Sequence, residues 1–146
     1  MGYAFVGLRE LIRDFDNLES LTDEIADEML EAEAEVMVEA EKATATIMLS
    51  GPYAHHTNPN KSPQPGIVDS IAKGKNFGTA TGRYTDIIFK GSQHGERLAA
   101  IAYINEFGKT NQPARPFILT AVAIGAPRAV DKAERVYETY LRKFKL

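Results

Sequence analysis

The chain has 146 residues, 44% of them hydrophobic and 25% charged, with a net charge of −3 and no cysteine. That is the size and balance of one soluble domain, able to bury roughly 68–70% of the surface its unfolded chain exposes. A disulfide scaffold and a thiolate zinc site are excluded, and no run approaches the ~20 apolar residues a membrane-spanning helix needs.

The opening MGYAFVGLRE lacks the basic stretch and cleavage pattern of a leader, so cytosolic synthesis is the expectation. Net charge conceals an asymmetry. Residues 1–41 hold 13 Asp/Glu against two Arg, a balance of −11, and the remainder carries +8. Such a split suits either a solvated acidic helix face, the first reading, or head-to-tail attraction between copies.

Phe5, Leu8, Leu11, Ile12, Phe15 and Leu18 recur at helical spacing, which predicts a first amphipathic helix interrupted at NLESLT. Ser20 or Thr22 can cap a second helix over about 22–49, with acids in its first turns where the helix dipole favours them. Its stripe Ile25, Met29, Ala32, Val36, Ala40, Ala43 and Ile47 is narrow and rich in alanine. Residues 51–66, GPYAHHTNPNKSPQPG, carry four of the seven prolines and almost nothing to bury. This loop is expected to be mobile alone and ordered by neighbours. IVDSIAKG reads as a short strand or helical turn and NFGTATG as a loop. YTDIIFKG (84–91) and RLAAIAYINEF (97–107) read as two strands of a hairpin. PFILTAVAI looks helical, broken by Gly125 and Pro127, with a last helix after it. The order predicts one α+β domain over 1–146: a small antiparallel sheet packed with a long N-terminal helix and C-terminal helices.

No residue pattern supports catalysis. His55 and His56 are adjacent, His94 lies in a turn, and no HExxH spacing accompanies them, so no metal site is expected. Ser50, Ser70 and Asp69 lack the context of an activated nucleophile. The glycines of AKGKNFGTATGRY do not match a phosphate loop. The acids at 31, 33, 35, 39 and 41 lack the Glu-x-x-His pairs of carboxylate metal bundles. No catalytic residue, cofactor or metal ligand is assigned, and the chain is not expected to be an enzyme.

The stretch INEFGKTNQPARPF (104–117) is different in kind. Gly108 permits a positive-φ turn, Pro113 and Pro116 force an extended approach, and Pro116 suits the start of a helix with Phe117 as a core anchor. Glu106 and Arg115 are thereby held at defined places in a stiff corner.

Five pieces occur in a characteristic order: Gly7-Leu8 with Glu10-Leu11, a long second helix, Gly66 to Ile71, Tyr103 with Glu106-Phe107-Gly108, and Pro113 to Phe117. In this the chain resembles, over nearly its whole length, the tail-completion and head–tail joining (neck, tail terminator) proteins of long-tailed bacteriophages. The resemblance implies a structural virion protein that forms an oligomeric ring, a hexamer, at the head-proximal end of the tail. It implies tail tube or sheath and neck or connector proteins as neighbours, and no membrane. DNA would pass through the ring without specific binding. Assembly would take place in the bacterial host cytoplasm. Glu106, Arg115, Tyr53 and Lys61 are the candidate contacts with subunits or neighbours. The alternative is a cytosolic nucleic-acid-binding regulator, which requires the basic half to gather on one face.

Overall fold

The computed structural model describes residues 8–49, 66–80, 82–93 and 95–144, and their side chains except at 8–21 and 93. Helix α1 (Leu8–Met48) leads to a single turn of helix, α2 (Gly66–Ser70), and then to strands β1 (Ile71–Thr79) and β2 (Gly82–Phe89). Two-residue strands β3 (Ser92–Gln93) and β4 (Glu96–Arg97) follow, then α3 (Leu98–Phe107) and α4 (Phe117–Lys143). The class is α+β, a small antiparallel sheet packed with a long N-terminal helix and C-terminal helices.

At 41 residues, α1 is roughly 60 Å long and serves as the spine. Helix α4 lies antiparallel along it, because Thr44 meets Phe117, Ala40 meets Gly125, Glu35 meets Lys132 and Glu28 meets Tyr140. The facing surfaces are almost all small. Ala121, Gly125, Ala129 and Ala133 on α4 are buried at strict four-residue spacing, as are Ala32, Val36, Ala40 and Thr44 on α1. Rows at i, i+4 are the ridges that interdigitate in close helix packing. A Cβ built at Gly125 would lie 2.9 Å from the Ala40 Cβ and 3.1 Å from the Met37 sulfur. Only glycine admits this approach.

The β1–β2 hairpin covers another face of α1. Its register runs Ile71↔Phe89 to Thr79↔Gly82, with an irregularity between Lys73 and Asn76 where Gly74 and Lys75 oppose Asp86 alone, a bulge. Along β2, Arg83, Thr85, Ile87 and Phe89 turn inward while Tyr84 and Asp86 face out. The inward row grades from charged to apolar. Arg83 grips Asp27 through two hydrogen bonds of 2.8 and 2.9 Å, and Ile87 and Phe89 reach the core. That core gathers Ala45, Leu49, Ile67, Ile71, Leu98, Ala102 and Phe117 near the C-terminal end of α1. Phe117 is fully buried and meets Phe89 edge to face, with ring centroids 6.0 Å apart.

Several expected elements are corrected. Of residues 97–107, expected as a strand, only Arg97 is in one, the two-residue β4; 98–107 form the helix α3, whose buried Leu98, Ala102, Asn105 and Glu106 step by four, three and one. The segment is apolar almost throughout, so its pattern fits either period, and its length with three alanines decides for helix. The expected hairpin partner of 84–91 is therefore absent, and β2 pairs instead with β1, which takes in the expected loop at NFGT. No break falls at NLESLT, where α1 continues, nor at Gly125 and Pro127, which lie inside α4. Pro127 is exposed on the outer face and Gly125 is needed for packing. The stripe on α1 passes through Thr44, leaving Ala43 and Ile47 exposed, since packing follows four-residue rows. The proline-rich loop through residue 65, with the N-terminal face before residue 8, lies outside the described residues.

Candidate assembly surface

The corner between α3 and α4 is built from backbone requirements. Helix α3 ends at Phe107, and Gly108 takes φ +77°, where a side chain would also strike the backbone nitrogen of Ala114 at 2.8 Å. Lys109 and Gln112 exchange backbone hydrogen bonds of 2.9 and 3.0 Å to close a tight turn. The chain then returns extended, its Arg115 N–H donating to the Asn105 carbonyl at 2.6 Å. At Pro116 (φ −76°, ψ 68°) the Phe117 N–H donates to the Arg115 carbonyl, an inverse γ-turn that aims α4 back along α1. Asn105, buried, donates to the Ile101 carbonyl and accepts from the Gln112 side chain, tying the turn to α3.

Glu106 completes the corner. It is 8% exposed, and its two carboxylate oxygens accept the backbone N–H groups of Ile118 and Leu119 at 2.8 and 2.9 Å. These are donors that a helix start leaves without intrahelical partners, and a carboxylate there is favoured by the helix dipole. Glu106, expected as a contact residue, is thus turned inward: it caps α4 from twelve residues away. Arg115 is half-buried on the return strand. Tyr53 and Lys61 lie outside the described residues. Of the four expected contacts, the structure brings Glu106 and Arg115 to one corner.

Behind the corner stands a polar pair that sequence reasoning passed over. The Thr44 hydroxyl donates toward the Phe117 carbonyl at 2.9 Å, and Glu41 is only 5% exposed, with its Oε2 making no hydrogen bond. Burial, and then the neighbouring Glu106 carboxylate, push the Glu41 carboxyl up to about 7. Glu41 closes an acidic run that reads as a solvated face. The available signal was its place among Ala34, Val38 and Ala45, at four, three and four residues on the inward side of α1.

Beside exposed Lys109, Thr110 and Asn111, the corner displays large apolar groups outward. Tyr103 and Phe107, one turn apart on α3, are 64% and 66% exposed, with ring centroids 4.8 Å from each other. Leu119, 65% exposed, and Val122 lie one turn apart at the start of α4, joined to α3 by the Glu106 bonds. Farther along α4, Val130 and Tyr137 are also exposed. The aromatic pair was invisible while this segment read as a strand, because an i, i+4 pair shares a face only on a helix.

The charge asymmetry is met in part within the chain. Asp27 pairs with Arg83, Glu31 with Lys73 and Glu35 with Lys132. The Arg83 hydrogen bonds hold the Asp27 carboxyl below its ordinary range, and Lys132 does the same for Glu35. The hydrogen bond to Glu28 pushes the Tyr140 phenol up to about 12. A groove of about 390 Å³ between α1 and the tip of the hairpin is lined by Asp23, Met29, Glu33 and Arg83 among others, and Arg83 is committed to α1. Among the described residues, no three His, Asp or Glu converge so as to hold a metal ion, and no helix is long and apolar enough to cross a membrane. Compared with known protein families, with curated proteins and with solved structures, the chain matches none of them.

Proposed function

We propose that this chain is a structural subunit that acts by being built into an assembly, the ring that ends a long phage tail at its head-proximal end. The observation that carries the assembly reading is the exposed apolar surface at the α3–α4 corner, set on a backbone that hydrogen bonds make stiff. Burying side chains such as Phe107 and Leu119 against a neighbour is worth about 1.5–3 kcal/mol each, enough for a few of them to hold a subunit in place. Apolar groups of this size on a rigid corner mark an interaction surface more than a catalytic one. The choice of a tail ring among assemblies rests on the resemblance carried by Tyr103, Glu106-Phe107-Gly108 and Pro113 to Phe117. The work is mechanical: the ring stops growth of the tail tube and offers the neck a docking face. Binding of nucleic acid is the weaker reading, because Lys73, Arg83 and Lys132 are each engaged by acids of α1.

The reading is tested in particles. Mass spectrometry of purified tails should find the chain in stoichiometric amount, and particles made without it should have tails of irregular length that carry no heads. Normal head-bearing tails in its absence would overturn it.

A further inference from the structure

We propose that Glu41 is a proton-operated latch on the α3–α4 corner: neutral, it lets Glu106 cap α4, and ionised, it loosens that cap. The geometry sets two carboxyl groups in one buried region. Glu106 has both oxygens occupied by the Ile118 and Leu119 N–H groups, so its negative charge is already matched to the start of α4. Glu41 has no such compensation: it is 5% exposed and its Oε2 has no hydrogen-bond partner. A buried charge without a partner is costly, and one placed beside another of the same sign is costlier.

Among the described residues, no group around it donates a hydrogen bond to its Oε2. From α3 comes the Glu106 carboxylate, which repels. From α4 come the Phe117 carbonyl, taken by Thr44, and the two N–H groups held by Glu106. Arg115 stands half-buried on the connector, its backbone bound to Asn105. Along α1 the flanking Glu39 is exposed and Lys42 half-buried. Relief therefore comes from movement, and the Glu106 cap is the bond that yields, since it carries the like charge.

The sign follows from the raised pKa. Glu41 titrates near 7 when folded against 4.5 ordinarily, so the folded chain holds a proton that the unfolded chain gives up. Its contribution is fully present below about pH 4.5 and is lost as pH rises through 7, by on the order of a hundredfold in the folding equilibrium.

The test is the carboxyl ¹³C titration of the whole chain, with amide hydrogen exchange at Ile118 and Leu119 measured at pH 5.5 and 8 and corrected for the intrinsic pH dependence of exchange. A Glu41 midpoint near 7 is expected, together with at least a tenfold loss of protection at those two amides on going to pH 8. In Glu41→Gln that loss should vanish, while the histidines of the chain still titrate as before. A Glu41 midpoint between 4 and 5 in the unaltered protein, or the same loss of protection in Glu41→Gln, would overturn the latch. Because the titration uses the unaltered chain, failure of the variant to fold leaves the proposal falsifiable.

Discussion

Phe117 and Arg115 sit two positions apart in the same corner and divide its labour. Phe117 is wholly buried against Phe89, so Phe117→Ala should cost about 3–5 kcal/mol in chemical unfolding. Arg115→Ala, half-exposed, should cost much less and act on assembly instead; equal losses in both would make Arg115 part of the structural corner only. Phe117, Gly108 and Pro116 were legible in the sequence because each obeys a local rule: an anchor after proline, glycine where φ is positive, proline at a helix start. Glu106 and Glu41 were not. An acid reads as solvated until the fold brings a helix terminus or another acid to it, and both events here join residues far apart in the chain.

Helices α1 and α4 owe their close approach to one missing methyl group. Gly125→Ala adds a Cβ at 2.9 Å from the Ala40 Cβ; the Met37 side chain can swing aside, whereas Ala40 is fixed to its backbone. The helix preference for alanine, ~1 kcal/mol, should be outweighed by about 1–3 kcal/mol of overpacking. Thermal unfolding should therefore show Gly125→Ala less stable, with Ala40→Gly in the same chain restoring part of the loss. A more stable Gly125→Ala would mean that the helices are not in contact there. This packing also explains why the elements were harder to read than the class. Gly125 and Pro127 together look like a helix break, yet the glycine is demanded by a neighbour and the proline points to solvent, where its ring meets no other helix. Likewise the continuous apolarity of residues 98–104 hides the period that separates helix from strand.

Taken as a whole, the molecule has a charged spine, three of whose acids are paired with basic residues of the hairpin and α4. The sequence displayed the two halves of opposite sign; it could not show which of their charges pair inside one subunit, since charge carries no information on topology. One consequence is a stability maximum in mildly acidic solution. Asp27 and Glu35 have folded pKa values held below 3.8 and 4.5, so their contribution is present above those values and is lost as pH falls through the depressed range. Glu41 contributes in the opposite sense, losing its share as pH rises from 4.5 to about 7. Urea midpoints across pH 3 to 8 should thus peak near 5, and Glu41→Gln should flatten the neutral limb alone. A second consequence concerns assembly. Three of the acids of α1 are already paired within the chain, so an oligomer held by the apolar groups Tyr103, Phe107, Leu119 and Val122 should stay largely intact at raised salt, whereas one held by head-to-tail charge attraction should weaken. Native mass spectrometry over a concentration series, run on the unaltered chain and on Phe107→Asp with Leu119→Asp, tests this most directly. The unaltered chain should give a closed ring of fixed subunit number and the double variant a folded monomer. A chain that stays monomeric at every concentration, or a double variant that still forms the ring, would contradict the account.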